Sequence, residues 1–119
     1  MTRLVKKAIV ACAVLATVGM AAGPAFAQGY GFLRLSRVQA FSTAVWQVQT
    51  GEYFRVVVDG DGDTDLDVFV YDAVTGRFLG ADDDYTDYCI VSGRTDSGWI
   101  IVRVVNLGSV YNEYTIRVQ

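Results

Sequence analysis

Two acidic runs hold most of the residues in this chain that could do chemistry. The first is Asp59-Gly60-Asp61-Gly62-Asp63-Thr64-Asp65-Leu66-Asp67, and the second is Asp82-Asp83-Asp84 with Asp87 close behind. Ten of the thirteen acidic residues fall between 59 and 87, where Arg77 is the only base. Carboxylates gathered in one place repel one another, and some respond by holding their protons more tightly. A hard divalent cation removes the conflict, because calcium accepts about six to eight oxygens from carboxylates, carbonyls and water in a tolerant geometry. The interleaved glycines suit such a site, since they let the backbone turn and point carbonyls at an ion. The chain has no His and no thiolate cluster, which favours calcium over zinc or copper.

The expected ligands are Asp61, Asp63, Asp65, Asp67, Asp82 and Asp84, with calcium as the ion. The competing reading is a merely solvated acidic loop, because Asp and Gly are ordinary turn residues and negative charge keeps a protein soluble. Asp65 and Asp67 argue hardest for a ligand role, since Asp is disfavoured within strands. An EF-hand is excluded. Counted from Asp61, the carboxylate positions would fall on Asp61, Asp63, Asp65 and Asp72, but the position that needs Gly is Leu66, which opens a strand and not a helix.

Other chemistry is thin. Without His there is no Ser-His-Asp or Cys-His arrangement. Cys89, in Tyr88-Cys89-Ile90-Val91, has no activating base in its sequence neighbourhood and is expected to be a buried free thiol. Paired carboxylates serve glycosidases, yet a chain this short leaves little room for a cleft beside a core. The expectation is no enzyme, with a small hydrolase as the remote alternative. Tyr85, in the second acidic run, is the candidate for an exposed platform that binds a sugar or an extended peptide. Most other aromatics, Phe69, Tyr71 and Trp99 among them, are expected in the core of one sheet or the other.

The elements that must position these residues are strands. No segment has a 3.6-residue period, Pro is absent after Pro24, and Val, Ile, Tyr, Phe and Thr alternate with polar residues between Gly, Asp and Asn clusters. Strands are expected at 32–38, 44–49, 53–58, 66–72, 77–81, 88–92, 99–105 and 111–118. Leu66, Val68 and Val70 share one face; Tyr114, Ile116 and Val118 point inward; Leu33 and Leu35 lie on one side of the first strand with Arg34 and Ser36 on the other. Such a series predicts an all-β chain, an antiparallel β-sandwich of jelly-roll type with about eight strands. With 73–76 as a tight connection, Asp72 faces Arg77, Val70 faces Leu79, Asp67 faces Asp82 and Asp65 faces Asp84, within a residue or two of register. Both acidic runs then lie at one end of the same sheet.

The N-terminus reads as a cleaved secretory signal. Arg3, Lys6 and Lys7 precede an uncharged apolar stretch at 8–22, Pro24 breaks it, and Ala25-Phe26-Ala27 offers the small-x-small cleavage pattern. The stretch is shorter than the roughly 20 residues that span a bilayer. Ile9-Val10-Ala11-Cys12 loosely resembles a lipoprotein box, but only four apolar residues precede the cysteine. Removal of 1–27 leaves 28–119 as one domain, with seven Arg, no Lys and thirteen acids. That balance argues against nucleic acid and against anionic membranes. The expected protein is a secreted or periplasmic monomer that binds an extracellular polymer or protein. With one Cys left it has no internal disulfide.

The run from Asp59 to Asp72, read as Asp-Gly-Asp-Gly-Asp-Thr-Asp-Leu-Asp-Val-Phe-Val-Tyr-Asp, resembles the signature of the bacterial pre-peptidase C-terminal domain. Later features follow in order: Asp82-Asp83-Asp84, Cys89, the strand at 99–105, Asn106-x-Gly108, and Tyr111-Asn112-x-Tyr114. The resemblance covers roughly 43–119. It implies a jelly-roll-like sandwich of secreted proteins, often appended to peptidases and related to collagen-binding modules of collagenases, some of which bind calcium. It also implies Asp63, Asp65 and Asp67 as the family-like acidic positions. No peptidase precedes the domain in this sequence, so a stand-alone binding module is the expectation.

Overall fold

The computed structural model describes residues 31–119. The expected signal at 1–27, with Cys12, lies outside the described residues. Eight strands are present: β1 (Phe32–Val38), β2 (Thr43–Gln49), β3 (Tyr53–Asp59), β4 (Leu66–Asp72), β5 (Phe78–Asp82), β6 (Tyr88–Arg94), β7 (Trp99–Asn106) and β8 (Asn112–Val118). Each falls within a few residues of its expected place, because the two-residue alternation and the Gly/Asn/Asp punctuation are both strong. The strands form two antiparallel four-stranded sheets, ordered β1-β8-β3-β6 and β2-β7-β4-β5.

The core lies between the sheets. From one sheet come Phe32, Val38, Phe54, Val56, Val58, Cys89, Val91, Tyr114, Ile116 and Val118, and from the other Ala44, Val48, Leu66, Val68, Val70, Ile100, Val102 and Val104. Trp46 closes one side of the sandwich: its indole N–H donates to the Tyr114 hydroxyl at 2.9 Å and its ring meets Phe32 edge-on at 5.6 Å. Cys89 is the expected buried free thiol.

Leu33 and Leu35 share a side of β1 as expected, and that side is the outer one, where they are 58% and 75% exposed. Two expectations are corrected. Phe69, Tyr71 and Trp99 are not core. They project from the outer face of the β2-β7-β4-β5 sheet, because the positions between them (Val68, Val70, Ile100) fill the inner face. The β4–β5 register differs too. Val70 pairs with Gly80 and Val68 with Asp82, whereas Tyr71 pairs with Phe78, so a bulge between Val70 and Tyr71 shifts the hairpin by one residue. Leu79 is the extra residue, and it leans onto the core.

Candidate metal centre

The bulge decides where the acids go. Residues paired across antiparallel strands project to the same side, so a one-residue shift moves a side chain to the other face. Asp82, opposite Val68, projects to the inner side, where it accepts the Ile90 amide N–H at 2.9 Å and bridges to the edge of the other sheet. Asp67 is on the outer side, paired with Val105. The expected Asp67–Asp82 pair is therefore split between faces; the same register carried one step past β5 sets Asp83 opposite Asp67, and Asp83 is among the charges that act on it. Sequence reading left Asp83 out of the site, and only a signal for the bulge could have placed it there.

Asp65 and Asp67 stand two residues apart at the start of β4, on one side of it. Each has one carboxylate oxygen, Oδ1, enclosed by protein and without a hydrogen-bond partner. Loss of solvent raises the pKa of both. For Asp67 the neighbouring charges of Asp65, Asp83, Asp82 and Asp84 add to that, bringing it to about 6; for Asp65 the charges of Asp84 and Asp87 do so. The same field reaches Cys89, whose thiol is pushed up to about 12 by burial and then by Asp82, Asp84, Asp67 and Asp65. Its Sγ–H donates to the Leu66 carbonyl at 3.2 Å. The two acidic runs thus meet at one end of the sandwich, as the hairpin argument expects.

The remaining acids are occupied differently. Asp61 accepts the Asp63 amide on Oδ1 at 3.0 Å and the Glu113 amide on Oδ2 at 2.9 Å, which pins the first acidic loop to β8. Asp63 is exposed. Asp84 caps its own turn, accepting both the amide and the hydroxyl of Thr86 at 2.9 Å. Asp87 joins the two loops through Oδ2, which takes the Gly62 amide at 2.6 Å and the Asn112 side-chain amide at 3.1 Å. Asn112 is completely buried and also holds Thr64 Oγ1 at 3.1 Å and the Asp61 amide at 3.1 Å. Gly60 is required where these groups meet, since a Cβ there would collide with Asp87 and with Asn112 Oδ1. Asp87 and Asn112 are the organising residues that sequence reasoning missed. Asn112 sits within the Tyr-Asn-x-Tyr ending, which signals importance but not role.

A cation fits this arrangement in one respect: two enclosed carboxylate oxygens want a partner. Among the described residues no three acidic side chains converge as a formed metal cage. Asp65 and Asp67 would be the first ligands, and a third carboxylate would come from the 82–84 run. Tyr85, in the loop between the Asp84 cap and Asp87, is 95% exposed.

The other end of the sandwich carries a second carboxylate of the opposite kind. Asp72 is buried and fully partnered, accepting the Thr95 hydroxyl at 2.6 Å and the amides of Val74 at 2.9 Å, Thr75 at 3.0 Å and Ser97 at 3.3 Å. These bonds, that of Thr95 first, hold its pKa far below the usual carboxylate range. Beside it a shallow concavity of about 370 Å³ is lined by Thr50, Glu52, Arg94 and Asp96, among others. Arg94 is already neutralised there by Glu52 at 2.7 Å and Asp96 at 2.8 Å.

The fold is similar to that of known β-sandwich proteins. One is the pre-peptidase C-terminal domain of collagenase from Bacillus anthracis, with a TM-score of 0.61 at 9% identity over 75% of this chain and 89% of that one. Another is the Yersinia pseudotuberculosis-derived mitogen, at 0.56 and 11% over 75% and 84%. A third is PliG of Aeromonas hydrophila, a periplasmic inhibitor of g-type lysozyme, at 0.55 and 11% over 75% and 84%. No family model matches the chain, and no curated protein matches it in sequence. The fold is therefore a β-sandwich similar to that of a pre-peptidase C-terminal domain.

Proposed function

We propose that this chain is an exported, non-catalytic binding module whose acidic end is stabilised by calcium, acting outside the cytoplasm on a polymer or a protein. The carrying observation is the pair of enclosed, unpartnered oxygens on Asp65 and Asp67. A carboxylate oxygen enclosed without a partner is costly, and a divalent cation would satisfy both oxygens and offset the repulsion from Asp83 and Asp84. Export rests on the signal-like 1–27 segment. A binding role is supported by the use of this fold in a periplasmic lysozyme inhibitor. The absence of His anywhere in the chain removes the commonest general base.

Thermal unfolding in calcium and in chelator tests the metal. Calcium at about 100 times its Kd should add roughly 2.7 kcal/mol to the folded state. An identical melting temperature in millimolar calcium and in chelator would remove calcium from the proposal.

A second reading is favoured by Tyr85 alone: a ring 95% exposed beside a solvated acidic loop could stack on a sugar or pack on a peptide. Glycan-array or pull-down binding that vanishes in Tyr85→Ala, with no calcium effect on melting, would select it.

A further inference from the structure

An antiparallel sheet with one face on the core normally turns a polar face to water. The outer face of the β2-β7-β4-β5 sheet is mixed, with Thr43, Gln47 and Gln49 of β2 opposite Val105, Ile101 and Trp99. Phe69, Tyr71, Phe78, Trp99, Ile101 and Val105 project from it, Phe78 exposed and the others partly exposed. Tyr71 and Phe78 meet edge-to-face at 5.7 Å, and Phe78 remains 54% exposed. A contiguous apolar surface of this kind marks an interaction site.

The charges on the face say what it fits. Arg103 stands in the middle of it, exposed and flanked across the strands by Val45 and Phe69. Among the described residues it has no ion pair and no side-chain hydrogen bond. A carboxylate on the same face, Asp67, stands one diagonal step away through its pairing with Val105, and it makes no ion pair. Diagonal neighbours on a sheet have Cα atoms about 7–8 Å apart, and this pair has not closed into a salt bridge. An anionic partner docking here would be repelled by Asp65, Asp67 and Asp83. A cationic one would bury Arg103 without a counter-ion. The partner must carry both signs in reversed order across an apolar field. A two-fold copy of the same face supplies that by construction, since each residue then meets its complement twice.

We infer that this face is a self-association surface, on which two copies of the chain pack about a two-fold axis with Arg103 of each against Asp67 of the partner subunit. The size of the face sets the strength. Four strands about 4.8 Å apart and some seven residues of about 3.3 Å each give a plan area on the order of 450 Å² per copy. That is below the roughly 800 Å² per partner of a standard interface, so the dimer is concentration-dependent and not obligate. A monomer is what the sequence leads one to expect. Calcium and a second copy compete for Asp67, so the test is run in chelator.

Sedimentation equilibrium of the purified protein from about 5 µM to about 500 µM brackets the range for an interface of this size. The wild type should pass from monomer to dimer. Arg103→Asp and Asp67→Arg should each weaken association at least tenfold, since each sets like charges face to face. An equimolar mixture of the two should recover the dimer, because both contacts in the mixed pair are then of opposite sign. A change that merely damaged folding would not be rescued by mixing. Should Asp67→Arg fail to fold, Tyr71→Asp replaces it and must also abolish the dimer. A wild type that stays monomeric throughout, single variants that associate like the wild type, or a mixture that stays monomeric would each overturn the inference. So would a soluble glycan that binds this face and is lost in Tyr71→Asp while no dimer forms.

Discussion

Carboxylates at the two ends of this sandwich respond to pH in opposite directions. In chelator, folded Asp67 takes up its proton near pH 6, whereas an unfolded Asp does so near 3.9. Between those values the folded state binds more protons, so stability rises as pH falls from about 7 toward 4.5. The full two-unit shift would correspond to about 3 kcal/mol, but Asp67 is partly solvated and about 1 kcal/mol is the expected gain. For a domain of this size that is a rise in melting temperature of about 4–8 °C. Asp67→Asn should flatten this limb, raise the melting temperature at pH 7 in chelator, and abolish the calcium response. Asp72 works the other way. Its depressed pKa stabilises the fold above the unfolded value of about 4, and that stability is lost as pH falls further. Melting curves from pH 3 to 8 in chelator should therefore show a maximum between the two limbs. A monotonic rise to pH 8 would contradict the enclosed state of Asp65 and Asp67.

At the scale of elements, the loops at the acidic end are held by buried amides and not by packing. Asn112 ties three segments together, and Asn106 does the same beside it, donating to the Val38 and Val110 carbonyls at 3.2 and 2.8 Å and accepting the Gly108 amide at 2.9 Å. Asn112→Ala should cost about 2–3 kcal/mol, since it leaves the Asp61 amide without its acceptor and removes the donor to Thr64 and Asp87. Urea unfolding should show a lower midpoint with an unchanged slope. The β1–β2 turn carries the opposite opportunity. Phe41 sits at φ +54°, in the left-handed region, with its side chain 73% exposed and its amide on the Gly108 carbonyl at 3.1 Å. A bulky residue there is strained, and Phe41→Asn should stabilise by about 0.5–1 kcal/mol. A lower melting temperature in that variant would show that the exposed ring contributes more than the strain removes. The asparagines and glycines of the Asn-x-Gly and Tyr-Asn-x-Tyr motifs stand out in the sequence, and the structure assigns them as loop anchors.

The whole molecule holds together by packing between two sheets, with no disulfide at Cys89. Its thiol is buried and pushed up to about 12, so a thiol reagent should label it only when the domain opens. Labelling should follow the global unfolding rate, and reductant should leave the melting temperature unchanged. Immediate labelling of the native protein would mean that β6 separates from β4 far more readily than its packing suggests.

Fold class, strand positions and the clustering of acids at one end were all legible from a period of two, broken by turn residues at regular spacing. Those signals are local, and each strand reports them without knowing its neighbours. Which side of a strand meets the core was legible only where one side is plainly more apolar, as in β8. In β1, β4 and β7 large apolar residues also occupy the other side, and alternation alone cannot say that Leu33, Phe69, Tyr71 and Trp99 face out. The membership of the acidic site was decided by a single bulge. One extra residue at Leu79 sends Asp82 inward and brings Asp83 opposite Asp67, because side chains on a strand change faces at every residue. Pairing between strands is a property of the assembled sheet, and so it was the tertiary structure that enclosed one oxygen each of Asp65 and Asp67 and set aromatic side chains on the outer face.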